Sequence, residues 1–153
     1  MRTRTLVATL SLVVLATATG IAASPQIGSW KLNEAKSKFS GVAKNTLVVY
    51  TEAGDSVKVA IDGIDASGKA FHSEWTGKFD GKDYPVTGDS SSDTRSYTVT
   101  NANMLAFTTK KGGKVVLSGD IVVAADGKSR TVTASGMNAK DEKVTQMAVY
   151  DKQ

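Results

Sequence analysis

The chain has 153 residues, no cysteine and a formal charge of +4, from 19 lysines and arginines against 15 aspartates and glutamates. Without cysteine there is no disulfide, no thiolate metal set and no thiol to carry a lipid, so one ordinary domain must hold together through its apolar core alone. The slight basic excess is scattered through turns, which excludes the clustered cationic face that nucleic acid or an anionic membrane surface requires.

Residues 1–23 read as a cleavable export signal. Arg2 and Arg4 precede an apolar run over residues 6–15, and residues 16–23 are rich in small side chains. Cleavage after Ala23 places Ile21 and Ala23 at the two positions that signal peptidase reads; Ala18 is the alternative. An uncleaved membrane anchor is the lesser reading, because the apolar run falls short of the ~20 residues of a spanning helix. The mature domain, residues 24–153, is therefore expected in the periplasm or the medium, with no stable membrane insertion once the signal is removed. Losing Arg2 and Arg4 takes its formal charge from +4 to +2.

The mature chain opens on Gly28-Ser29-Trp30-Lys31-Leu32, a short strand with Trp30 and Leu32 on one face. Asn33 is placed to cap a brief helical turn over residues 34–39, stopped by Gly41. From Asn45 onwards apolar residues alternate with Thr, Ser and Lys in short runs. Each run ends in a turn cluster such as Glu52-Ala53-Gly54-Asp55, Asp65-Ala66-Ser67-Gly68, Asp80-Gly81-Lys82-Asp83, Lys111-Gly112-Gly113 or Asp126-Gly127-Lys128. The cleanest alternation is Phe71, Ser73, Trp75, Gly77 and Phe79 against His72, Glu74, Thr76 and Lys78, the pattern of a central strand. Only residues 88–93, with three serines, read as a looser loop. Connections this short join antiparallel neighbours. The expectation is an all-β fold: an antiparallel up-and-down meander of about eight to ten strands, closed into a β-barrel that leaves no open edge.

The predicted core follows the alternation: Leu47 and Val49; Val57, Val59 and Ile61; Phe71, Trp75 and Phe79; Tyr97 and Val99; Leu105 and Phe107; Val115, Leu117, Ile121 and Val123; Val132 and Ala134; Met147 and Val149. The opposite faces are mostly Ser, Thr, Lys and Asp. An apolar inside and a wet outside describe a water-surrounded barrel, since a membrane barrel needs an unbroken lipid-facing band with aromatic girdles.

The Gly28-Ser29-Trp30 opening, the hairpin meander and the closing Ala148-Val149-Tyr150 together resemble the lipocalin and fatty-acid-binding-protein (calycin) superfamily. Asp80-Gly81-Lys82-Asp83-Tyr84-Pro85-Val86-Thr87-Gly88 and Lys110-Lys111-Gly112-Gly113-Lys114-Val115-Val116 are similar to stretches of uncharacterised exported bacterial proteins. The superfamily resemblance implies a barrel enclosing a small apolar ligand, with the Trp30 ring closing one end. Fatty-acid-binding proteins commonly end in Arg-x-Tyr, which holds a ligand carboxylate; here Tyr150 matches, but Ala148 stands at the arginine position. Arg95 and Arg130, the only arginines after the signal, are the substitutes if they point inward.

The candidate ligand-binding residues are accordingly Trp30, Phe71, Trp75, Phe79, Arg95, Tyr97, Phe107 and Tyr150, the aromatics as pocket lining and Arg95, Tyr97 or Tyr150 as anchors for a polar end. The same aromatics could equally fill the barrel. Then the alternative is a packed barrel acting through its loops as an envelope adaptor or an inhibitor of secreted enzymes, with Asp83-Tyr84-Pro85 and residues 88–93 carrying the activity. His72, the single histidine, faces away from the apolar side beside Glu74 and reads as half of a surface polar pair rather than a catalytic base. One His and no Cys supply no zinc set, no loop has EF-hand spacing, and no glycine-rich turn leads from a strand into a helix. The expectation is thus a non-catalytic protein with no metal and no cofactor, whose partner is a small apolar or amphipathic molecule.

Overall fold

A computed structural model describes residues 24–153; the expected export signal, residues 1–23, lies outside the described residues. Ten strands follow one another in chain order: β1 (Gly28–Ser40), β2 (Lys44–Ala53), β3 (Ser56–Ile64), β4 (Ala70–Gly77), β5 (Tyr84–Thr87), β6 (Thr94–Asn101), β7 (Met104–Lys111), β8 (Lys114–Val123), β9 (Ser129–Met137) and β10 (Lys143–Lys152). Each pairs antiparallel with the next, and β1 pairs with β10 from Trp30 opposite Lys152 to Ser40 opposite Thr145, closing the barrel. The meander expected from the turn clusters is the observed topology.

Residues 34–39 continue β1 instead of forming a helical turn. Asn33 faces Val149 and Lys38 faces Met147, so the segment between them is extra length accommodated as a bulge. Local chemistry explains both the expectation and its outcome. The Lys36 N–H does donate to Asn33 Oδ1 at 3.3 Å, as a cap would predict. The Ser37 hydroxyl, however, donates to the Asn33 carbonyl at 2.7 Å and accepts from the Val149 N–H at 2.9 Å. That hydroxyl stands in for a missing rung of the β1–β10 ladder, so the strand resumes at once.

Two strands turn the opposite face inward from the one expected. On β2 the buried residues are Val48 and Tyr50 rather than Leu47 and Val49. On β10 they are Val144, Ala148 and Tyr150 rather than Met147 and Val149. Both stretches are apolar at four successive residues, so alternation alone offers no choice of face. Register decides, because directly opposed residues share a face. Val48 lies opposite Trp30 and Ile61, and Tyr50 opposite Val59; Ala148 lies opposite Val132 and Tyr150 opposite Arg130.

Val99 and Val115, expected in the core, are 55% and 47% exposed. Each sits where pairing slips, Val99 beside a register shift at the end of β6 and Val115 opposite one in β7. Phe79 lies beyond the end of β4, in the connection to β5, yet its ring still packs on the core.

Close approach to neighbouring backbone requires glycine at several positions, Gly136 and Gly88 among them. Gly136 on β9 has its α-carbon against the Val116 carbonyl, and Gly88 (φ +78°) lies against the His72 carbonyl; a Cβ at either place would collide with backbone. Gly88 thereby presses the start of the 88–93 loop against β4. On the outer face, β3 and β4 carry Lys58, Asp62, His72 and Glu74 side by side. Among the described residues no helix is long and apolar enough to cross a membrane.

Candidate functional site

The barrel interior has two halves of different chemistry. At one end, the segment before β1 folds across the opening. Trp30 is fully buried, and its indole N–H donates to the Gln26 carbonyl at 2.8 Å. The Arg130 guanidinium from β9 lies 4.9, 4.8 and 5.0 Å from the ring centroids of Trp30, Tyr50 and Tyr150. Its Nη1 donates to Gln26 Oε1 at 3.2 Å. Three π faces and one amide oxygen are what hold this cation out of water. Its Nε and the Gln26 Nε2 are buried without an acceptor.

Beside this plug an aromatic layer fills the barrel. Trp75 sits 4.8 Å from Tyr97, 5.6 Å from Tyr84 and 6.3 Å from Phe79, the first two edge-on and the third stacked. The Trp75 indole N–H donates to the Arg95 carbonyl at 2.8 Å, tying β4 to β6 across the very short β5. Tyr97 in turn lies edge-on to Tyr50, 6.3 Å away. A continuous floor therefore runs from Arg130 through Tyr50 and Tyr97 to Arg95.

Above the floor the interior is open: a cavity of about 1170 Å³ reaches solvent between the loops that join β1 to β2, β3 to β4, β5 to β6, β7 to β8 and β9 to β10. Its walls include Val48, Ile61, Phe107, Leu117, Ile121 and Val132. Polar groups gather at its depth. Arg95, 8% exposed, reaches the Tyr97 hydroxyl at 3.5 Å and approaches Asp89 Oδ2 at 3.9 Å. Burial pushes the Tyr150 phenol up to about 12, against the opposing pull of Arg130, and raises Tyr97 further, with Tyr50 adding to the effect. Both phenols are neutral at ordinary pH and can donate or accept a hydrogen bond.

Of the residues singled out in the sequence, Phe71, Arg95, Tyr97, Phe107 and Tyr150 line the cavity, whereas Trp30, Trp75 and Phe79 lie below it in the packed half. Arg130 also points inward, so both arginines after the signal are interior. Sequence reading missed Tyr50 and Gln146 as cavity residues. Tyr50 was hidden in the unalternating run that begins at Leu47, and Gln146 among the apolar residues of β10. The placement of Ala148 and Tyr150 inside was the available signal, since Gln146 shares their face.

No family model matches the chain, and no curated protein matches it. Solved structures do. One is EF1p2_mFAP2b bound to DFHBI, with TM-score 0.51 and 11% identity, over 86% of this chain and 97% of that one. Another is a redesigned β-barrel, mFAP1, bound to DFHBI, with TM-score 0.47 and 12% identity, over 86% and 98%. The chain shares the barrel fold of EF1p2_mFAP2b. At this identity the likeness concerns architecture alone.

His72 lies on the outer face of the barrel and is not among the residues that line the cavity. Its Nδ1 is 2.7 Å from Asp62 Oδ1 and its Nε2 3.5 Å from Glu74 Oε1, and Lys58 holds Glu74 at 2.8 Å. The hydrogen bond to Asp62, and secondarily that to Glu74, raises the imidazole above its ordinary 6.5. A raised folded-state value means stabilisation that is fully present below about pH 6.5 and lost as pH rises through the folded value. His72→Gln should therefore melt below wild type at about pH 5, with the gap closing by about pH 8.5. A gap that is constant across that range would show that the imidazolium contributes nothing.

Proposed function

We propose that this chain is an exported, lipocalin-like barrel that binds a small apolar or amphipathic molecule and catalyses no reaction. The observation that carries this reading is the one-ended cavity of about 1170 Å³, apolar on its walls and furnished at depth with a guanidinium and neutral phenols. Burial of ligand hydrocarbon on those walls supplies affinity at about 0.8 kcal/mol per methylene. Arg95, Tyr97 and Tyr150 orient the polar end. A barrel of the same fold, EF1p2_mFAP2b, holds DFHBI, which supports a small-molecule partner here.

The surface-acting alternative has less to work with. Tyr84 is tied to Asp80 at 2.9 Å and packs edge-on against Trp75, so that connection is anchored to the core rather than offered to a partner. The imidazole of His72 does not face the cavity, which supports a binding rather than a catalytic role for the interior. The charged rows on the outside of β3 and β4 argue against lodging in a bilayer.

The test is native mass spectrometry of the mature protein purified from its own host's envelope, before and after organic extraction. A discrete adduct removed by extraction is expected, with a mature start at Ser24. Leu117→Trp, which fills the cavity from its wall, should weaken re-uptake by roughly tenfold or more while the fold persists. A clean apo mass and no uptake from a lipid and metabolite panel would overturn the reading.

A further inference from the structure

Resting on the ligand-binding reading above, the geometry points to Asp89 as the residue that sets the cavity's preference between an acid and its neutral counterpart. We propose that Asp89 is the resident counter-ion of Arg95, and that an amphipathic anion enters by taking its place.

The Arg95 side chain is 10% exposed and the Asp89 side chain 16%, so the two charges face each other mostly out of water. Their separation of 3.9 Å is well beyond the ~2.7–2.9 Å of a closed charge-assisted hydrogen bond. The guanidinium has five N–H donors, and the Tyr97 hydroxyl at 3.5 Å is its one protein acceptor among the described residues. The planar fork is thus neutralised at a distance but left open to the cavity. That arrangement suits a two-oxygen acid group on an incoming molecule.

Asp89 has no cation partner besides Arg95 among the described residues. It hangs on the 88–93 loop, and its carboxylate is otherwise held only by neutral partners: Oδ1 accepts from the Ser91 N–H at 2.8 Å and the Ser91 hydroxyl at 2.6 Å, and Oδ2 from the Ser92 hydroxyl at 2.7 Å. The other carboxylates around the mouth do not compete for this role. None of Asp65, Asp141 and Glu142 pairs with Arg95: Asp65 is bonded to Ser67 and the Lys69 N–H of its own turn, Asp141 is 78% exposed and pairs with Lys114, and Glu142 accepts from Asn138 Nδ2 at 2.8 Å. An anion reaching Arg95 must therefore contend with one charge, that of Asp89, whereas an alcohol of the same length need not displace it.

The experiment is calorimetric titration of the mature protein with decanoate and with decanol, for wild type, Asp89→Asn and Asp89→Ser, each first shown by thermal melting to be folded. Removing the competing charge should raise the ratio of decanoate to decanol affinity by roughly tenfold or more in either variant, given the strength of a charge contact at about 4 Å in a half-dry site. The two side chains differ in shape, so agreement between them assigns the effect to charge. If both probes bind and the ratio is unchanged in both variants, Asp89 does not compete and the proposal falls while the binding reading stands. If neither probe binds wild type, both fall together. Should both variants fail to fold, the Asp89 carboxylate is a structural requirement of the loop and the proposal is overturned.

Discussion

Trp75→Ala should lower the unfolding free energy by about 3–5 kcal/mol, the range for deleting a large aromatic from a packed interior. The sequence suggests a different outcome, a lost ligand with an intact fold, because Trp75 reads there as pocket lining. Its position below the cavity changes the expectation. The ring is 1% exposed and contacts Tyr97, Tyr84 and Phe79 on three sides, so its removal opens a void that its neighbours can only partly fill. The Arg95 carbonyl also loses its indole donor, and an acceptor left unsatisfied in a buried setting costs about 1–3 kcal/mol. Trp75→Phe separates the two contributions: it keeps most of the packing and drops the hydrogen bond, and should cost about 1–2 kcal/mol. Urea denaturation at equilibrium measures both. A loss below about 1 kcal/mol for the alanine variant would mean that the aromatic layer is not a packed floor.

Trp30→Ala is expected to be as damaging, about 3–5 kcal/mol by the same measurement, but through a different route. Trp30 is 0% exposed and joins three things at the closed end: the segment before β1, through the Gln26 carbonyl; the Arg130 guanidinium, through its ring face; and Val48 on β2, through register. Without the indole, Arg130 retains Tyr50 and Tyr150 but loses one of its three π faces, and it has no carboxylate to fall back on among the described residues. A buried cation with fewer partners is a heavier burden on the fold than a buried methyl group. Hydrogen exchange distinguishes this route from simple cavity formation. Protection should fall first at Ile27, whose N–H is bonded to the Ser24 carbonyl, and at Gln153, bonded to the Ser29 carbonyl. Uniform loss of protection across the barrel would instead mark Trp30 as one more core side chain.

Much of the candidate site was legible as a list and not as an arrangement. Phe71, Tyr97 and Phe107 announce themselves by alternation, and on their strands alternation and register agree. Arg95 and Arg130 were nameable only as conditional anchors, because a single arginine among threonines and serines carries no local sign of its direction. Each points inward because it occupies the inward place of a strand whose other members are apolar: Arg95 with Tyr97 on β6, Arg130 with Val132 and Ala134 on β9. The division of the aromatics into a packed floor and a cavity wall had no sequence signal at all. It depends on height along the barrel axis, which strand stagger and closure determine.

Taken by itself, the sequence determined the all-β class, the antiparallel meander and the positions of its reversals. Those are local matters: Gly, Asn and Asp accept tight-turn backbone angles, and period-two alternation needs no partner to be seen. The tertiary structure alone decided which face of the apolar runs ending at Tyr50 and Tyr150 turns inward. It alone made the segment after Asn33 a bulge, and set Asp89 opposite Arg95 in the cavity. The inward faces and the bulge rest on residues brought together from distant parts of the chain, and a pattern with no alternation takes its orientation from the strand it pairs with.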